Sequence, residues 1–201
     1  MNMNIGIFGG SFDPVHLGHK KLADFMTEKL QLDKMLIIPA ALSPFKERCA
    51  DGMDRYNMCR LQFSSEPFEV SDIELRRGGK SYTVETLRSI REQYPEARLY
   101  LIIGSDQLLS FNRWYRFSEI LSLCTLAAVS RQGGDKKSRL ETFCRENLNG
   151  FGKTLIFDFT PLEISSTQLR RAIAAGENAA EFLDGRVLRY IQDRGLYSEI
   201  L

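Results

Sequence analysis

Short apolar runs recur along this chain, and most are followed by a stretch whose apolar residues fall at helical spacing. Asn4–Phe8 reads as a buried strand stopped by Gly9-Gly10, and Leu17–Leu30 then carries Leu22, Phe25, Met26 and Leu30 along one helical face. Met35–Ile38 is a second apolar run, closed by Pro39, after which Met53–Phe63 reads as helical and Phe68–Ile73 as extended. Val84, Leu87, Ile90 and Tyr94 mark another helix, ended by Pro95, while Leu99–Ile103, Leu123–Val129 and Thr154–Phe159 read as further buried strands. Continuous apolar strands alternating with amphipathic helices imply βαβ units, and right-handed crossovers then build a mostly parallel sheet. The expected fold class is α/β, a doubly wound, Rossmann-like parallel sheet with helices on both faces. Such sheets bind ligands beyond the carboxyl ends of their strands, which directs attention to the loops after Phe8, Pro39, Ile103 and Phe159.

No linker, internal repeat or low-complexity stretch divides the 201 residues, so a single domain over 1–201 is expected. Gly133–Lys137 is the one markedly polar segment with several breakers, and it reads as a surface loop. Lys and Arg number 27 against 26 Asp and Glu, which argues against a nucleic-acid partner. Nothing approaches the roughly 20 apolar residues of a membrane span, and Met1–Asn4 lacks signal-peptide features, so a cytoplasmic protein is expected. Cys49, Cys59, Cys124 and Cys144 form no C-x-x-C pair and read as reduced, partly buried thiols. The sequence leaves open whether the chain forms a homo-oligomer.

The most informative segment is Gly6-Ile7-Phe8-Gly9-Gly10-Ser11-Phe12-Asp13-Pro14-Val15-His16-Leu17-Gly18-His19. Small residues after a strand let backbone N–H groups approach a ligand, and the helix start that follows offers unpaired N–H groups and a positive dipole end. Both histidines of the chain, His16 and His19, sit at this helix start. They read either as local caps and packing groups or as a pair facing phosphate, and the pairing with this glycine pattern favours phosphate. The loop is neither a Walker loop nor the spaced G-x-G-x-x-G fingerprint.

A second segment, Ile164-Ser165-Ser166-Thr167-Gln168-Leu169-Arg170, reads as a helix start with Ser165 as N-cap, Gln168 completing a capping box, and Ile164 and Leu169 as a hydrophobic staple. That reading leaves the hydroxyls of Ser166 and Thr167 and the guanidinium of Arg170 unexplained. Together with free N–H groups they make an oxyanion site.

The first segment resembles the signature of the H-x-G-H nucleotidyltransferase superfamily, and the second resembles its I-S-S-T-x-x-R signature. Between them, Ser81-Tyr82-Thr83, Gly104-Ser105-Asp106 and Asn112-Arg113-Trp114-Tyr115 extend the likeness to one branch, the bacterial nicotinate-mononucleotide adenylyltransferases, from Gly6 to Gly195-Leu196-Tyr197. The resemblance implies ATP bound by Gly9, Gly10, Ser11, Phe12, His16, His19, Gly104, Asp106, Ile164, Ser165, Ser166, Thr167 and Arg170. It implies catalytic roles for His16, His19, Lys46 and Arg170, and an acceptor site of Lys46, Thr83, Trp114 and Tyr115. Read from residue type alone, Ser81 and Thr83 are helix caps; Trp114 and Tyr115, in an Arg-flanked segment, suit a rim better than a core.

The chain departs from the family pattern at Ser43-Pro44-Phe45-Lys46, where P-P-H-K is usual, and at Arg131-Gln132-Gly133, where R-P-G is usual. Phe45 lacks the hydrogen-bonding group of a histidine, and the loop at Gln132 loses a rigid proline. The implied reaction joins ATP to nicotinate mononucleotide, with Mg²⁺ carried mainly by phosphate oxygens and no protein metal ligand. Its phosphate nucleophile is largely dianionic at neutral pH and needs no general base. The alternatives are a sister transferase acting on nicotinamide mononucleotide, phosphopantetheine or a flavin nucleotide, and a non-catalytic ATP sensor.

Overall fold

The structure, a computed structural model, describes residues 2–41, 50–131 and 137–198. Its elements run β1 (Asn4–Gly10), α1 (Leu17–Leu30), β2 (Lys34–Pro39), α2 (Gly52–Gln62), β3 (Phe68–Val70), α3 (Ile73–Arg77) and α4 (Thr83–Gln93). They continue through β4 (Arg98–Gly104), α5 (Ser105–Leu108), α6 (Phe117–Leu123), β5 (Thr125–Arg131), α7 (Lys137–Asn147), β6 (Thr154–Phe159), α8 (Ser166–Ala174) and α9 (Gly185–Asp193). The strands form one sheet in the order β3-β2-β1-β4-β5-β6, every neighbouring pair parallel. This is the doubly wound arrangement that the alternating pattern predicts. The order reverses direction between β1 and β4, and there the carboxyl ends open a crevice.

Side-chain alternation along the central strands divides the core in two. Met35 and Ile37 of β2, Ile102 of β4 and Val129 of β5 meet Ala23 and Met26 of α1, Leu169 of α8 and Val187 and Ile191 of α9. On the other face, Ile5 and Ile7 of β1 and Leu99, Leu101 and Ile103 of β4 meet Val84, Leu87 and Ile90 of α4 and Ile120 of α6. Burying both faces of a central strand makes its sequence apolar throughout, which is why these runs are legible.

Three boundary differences from the sequence reading have a clear physical reason. Gly9 and Gly10 do not stop β1 but pair with Ile38 and Pro39, because β2 supplies a ladder partner to the end. Extended structure from Phe68 ends at Val70, and Ile73 begins α3 after Asp72. Leu123 closes α6, where the Cys124 N–H donates to the Ile120 carbonyl at 3.1 Å, so one apolar run serves two elements. Cys59 and Cys124 are buried free thiols and Cys144 is half-buried; burial pushes the Cys124 pKa up to about 12, whereas Cys49 lies outside the described residues. Among the described residues, no helix is long and apolar enough to cross a membrane.

Candidate active site

The loop joining β1 to α1 is tied down by groups from distant parts of the chain. Arg55 of α2, 1% exposed, donates through Nη1 to the Ser11 carbonyl at 2.8 Å and through Nε to the Ala50 carbonyl at 3.3 Å. The Tyr197 hydroxyl donates to Asp13 Oδ1 at 2.7 Å, and burial raises its pKa strongly, keeping it a donor. Desolvation lowers the Arg55 pKa, while the Asp13 charge opposes that shift. Phe12 takes a left-handed φ of 49°, an uncommon conformation for a bulky residue. Its buried ring packs edge-on against His19 at 5.1 Å and Phe8 at 5.5 Å, which holds it there.

His16 is the N-cap of α1, with extended backbone at φ −146° and ψ 170°. Its backbone N–H donates to His19 Nδ1 at 3.2 Å. With Nδ1 accepting, neutral His19 carries its proton on Nε2, so that nitrogen is the donor edge of the ring. The two imidazoles lie 3.8 Å apart, tilted by 36°. Burial lowers the His16 pKa to about 4, so this ring is neutral at physiological pH. Its buried Nδ1 has no hydrogen-bond partner among the described residues. The pair therefore combines the two readings of the sequence, because His19 caps the helix start while both rings present polar edges beside it.

The second segment forms as its residues dictate. Ser165 caps α8, its Oγ accepting from the Gln168 N–H at 3.2 Å while Gln168 Oε1 accepts from the Ser165 N–H at 2.9 Å. Ser166 Oγ donates to the Pro14 carbonyl at 3.0 Å, and Arg170 Nη1 donates to the Asp13 carbonyl at 2.7 Å. Arg170 Nη2 also reaches Thr167 Oγ1 at 3.4 Å. An ideal Cβ at Gly18 would lie 3.7 Å from Ile164 Cγ2. Two segments some 150 residues apart thus meet, with Ser166 and Pro14 separated by 152 positions. The N-termini of α1 and α8 lie side by side, each a positive dipole end, although the Leu17 N–H is taken by the Phe182 carbonyl at 2.9 Å and the His19 N–H by the His16 carbonyl at 2.9 Å. Such a place suits a polyphosphate.

Gly104, at the end of β4, caps α5 and donates its N–H to Gln107 Oε1 at 3.1 Å, and Asp106 is exposed on that short helix. Thr83 is the first residue of α4, but its N-cap is Tyr82 rather than Ser81. Ser81 Oγ instead accepts from the Ala41 N–H at 2.9 Å, tying the approach to α4 to the loop beyond β2. The Tyr82 and Tyr115 rings lie 4.8 Å apart, which brings the Ser-Tyr-Thr and Trp segments together. Trp114 is half-buried against Phe111 at 5.1 Å, while Tyr115 is 51% exposed with the Arg116 guanidinium 5.3 Å from its ring. Lys46 and the departures at Phe45, Gln132 and Gly133 lie outside the described residues. Among the described residues no group of three or more His, Cys, Asp or Glu side chains could hold a metal.

Sequence reasoning missed Arg55 and gave no role to Asp13 or Tyr197. Arg55 lies 44 positions from Ser11, on a helix whose spacing marks it as one charged residue among several. Its burial appears only when the chain is folded.

Residues 7–172 match the family model described as Cytidylyltransferase-like. A relative from Pelobacter propionicus, described as a probable nicotinate-nucleotide adenylyltransferase, is 36% identical over 214 residues, covering 98% of this chain and 99% of that one. Another so described, from Syntrophotalea carbinolica, is 38% identical and covers 97% of each chain. Among solved structures, the Plasmodium falciparum nicotinic acid mononucleotide adenylyltransferase complexed with NaAD superposes with a TM-score of 0.81 at 18% identity, over 98% of each chain.

Proposed function

Since the chain belongs to the cytidylyltransferase-like family and, within it, to the nicotinate-nucleotide adenylyltransferases, we propose that it transfers AMP from ATP to nicotinate mononucleotide, giving deamido-NAD and pyrophosphate. The observation that carries this reading is the contact between the two phosphate-binding segments. Gly18 lies between the His16 ring and Ile164, and Ser166 and Arg170 hold the carbonyls of Pro14 and Asp13. Two helix N-termini, two imidazoles and a guanidinium are thereby gathered beside the loop that follows β1.

In this reading the difficulty of the reaction is electrostatic. The acceptor's phosphate monoester is the nucleophile and attacks the α-phosphate in line; the bond to the bridging oxygen breaks and pyrophosphate leaves. Catalysis is positioning plus stabilisation of charge on the equatorial and leaving oxygens. His19 Nε2–H is directed to the reacting phosphate, and neutral His16 binds the triphosphate from the helix start. Arg170 and Thr167, with the backbone N–H groups of α8, hold the β- and γ-phosphates. The Ser166 proton is committed to Pro14, so that residue serves phosphate through its backbone.

A divalent cation such as Mg²⁺, arriving with ATP, would offset the triphosphate charge, and the described residues offer it no cluster of protein ligands. Thr83, Trp114 and Tyr115 form the acceptor side. There the α4 N-terminus meets the nicotinate carboxylate, and the exposed aromatic edge covers the pyridine ring. Lys46 is assigned to the acceptor phosphate. Incubation with ATP, Mg²⁺ and nicotinate mononucleotide tests the reading: pyrophosphate and a dinucleotide of the joined mass should appear in equal amounts. Release of neither product, with both substrates bound, would contradict it.

A further inference from the structure

The terminal Gly195-Leu196-Tyr197 segment has no part in the reaction described above, yet it ends directly beneath the phosphate loop. Leu196 donates its N–H to the Ile191 carbonyl at 2.9 Å, closing α9, and Gly195 and Tyr197 take left-handed φ values of 60° and 65°. This turn drives the Tyr197 side chain inward until the residue is 5% exposed. A left-handed tyrosine is strained, and such strain persists where surrounding contacts over-determine it. The contact here is the hydroxyl bond to the Asp13 carboxylate, itself 3% exposed and flanked by Arg55 and Arg170.

These groups act on one stretch of backbone. Arg55 holds the Ser11 carbonyl, Arg170 the Asp13 carbonyl and Ser166 the Pro14 carbonyl. The Ser11–Phe12 and Pro14–Val15 peptides are trans. A trans peptide sets its N–H opposite its carbonyl, so fixing the Ser11 and Pro14 carbonyls also fixes the directions of the Phe12 and Val15 N–H groups. Asp13 sits between the arginines and is the point at which the chain's last turn grips this arrangement.

We propose that Tyr197 is a positioning residue for the nucleotide site, its hydroxyl acting through Asp13 to hold the Ser11–Pro14 backbone in its phosphate-binding form. The proposal rests on the reading of this loop as the triphosphate site. It makes the C-terminal turn part of that site without contact to substrate.

Calorimetric binding of α,β-methylene-ATP tests it without requiring an acceptor or turnover. Tyr197→Phe, which removes only the hydroxyl, is expected to weaken the analogue about tenfold, the scale of one buried hydrogen bond to a charged group. Asp13→Asn is expected to weaken it as well, and the double variant should be no weaker than the worse single variant. As a second readout, Tyr197→Phe should speed amide hydrogen exchange in residues 9–17 more than in β4. Unchanged analogue affinity, additive losses, or exchange accelerated uniformly over the chain would each overturn the proposal. If the wild-type chain binds the analogue but forms no dinucleotide, the reaction assigned above fails, and the analogue data still decide the role of Tyr197.

Discussion

Gly18 lies against the His16 ring, so closely that a Cβ at this position would come within 3.0 Å of His16 Cε1 and Nδ1. The glycine between the two histidines thus leaves room for the first imidazole beside the start of the helix it caps, and a larger residue would make that ring give way by a few tenths of an ångström. Gly18→Ala sets two effects against each other. Alanine favours a helix over glycine by about 1 kcal/mol, whereas its methyl pushes the His16 ring away. Thermal stability should therefore hold or fall little, while kcat/KM falls roughly tenfold, a shift of about 1.4 kcal/mol in transition-state binding. Full activity in Gly18→Ala would contradict the ring's placement.

His19 presents Nε2–H because its Nδ1 is engaged by the His16 backbone N–H. If that donor meets charge that develops in the transition state, His19→Ala should lower kcat by about 10²–10³ and change the KM for ATP by only a few-fold. Steady-state kinetics with ATP varied at saturating acceptor measures the split. A rise in KM with kcat preserved would assign His19 to ground-state binding instead.

Buried His16 also predicts a pH dependence of stability. Its pKa falls from 6.5 in the unfolded chain to about 4 in the folded one. Above pH 6.5 both states are neutral and nothing is lost; as pH drops toward 4 the unfolded chain takes up the proton first, and stability declines. Melting of the ligand-free protein between pH 7 and pH 4.5 should show this loss. His16→Asn, which keeps a good N-cap residue, should show less of it. Parallel declines in the two proteins would contradict a buried, neutral His16.

Tyr115 is exposed and packs against Tyr82, so its truncation separates binding from stability. Tyr115→Ala should raise the KM for the mononucleotide acceptor about tenfold, leave the KM for ATP unchanged and shift stability by less than about 0.5 kcal/mol. An equal rise in both KM values would place Tyr115 outside an acceptor-specific surface.

Much of the fold was legible because the central strands are buried on both faces. Helix α1 begins and ends where its periodicity does, at Leu17 and Leu30, and the capping box at Ser165 and Gln168 forms as spelled. Where the sequence misled, a tertiary partner decided the outcome. The ladder to β2 carries β1 through Gly9 and Gly10, and the end of α6 divides an apolar run at Leu123. The short helices α3, α5 and α6 carry too few turns for a period to register, and α7 is mostly polar on its exposed side. Within the candidate site, the residues assigned to phosphate stand in motifs, whereas Arg55 stands in none and Gly195-Leu196-Tyr197 gives no sign of what Tyr197 bonds. Their roles are hydrogen bonds to the Ser11 carbonyl and the Asp13 carboxylate, made 44 and 184 positions away.

The central claim is best tested by pyrophosphate release with ATP and Mg²⁺, comparing nicotinate mononucleotide, nicotinamide mononucleotide and phosphopantetheine as acceptors. A site that meets a carboxylate with the α4 N-terminus predicts kcat/KM at least tenfold higher for the nicotinate form than for the uncharged amide, and no turnover of phosphopantetheine. Equal or better turnover of the amide would contradict the acceptor site built on Thr83, Trp114 and Tyr115, and ATP binding without turnover of any acceptor would contradict the transferase itself.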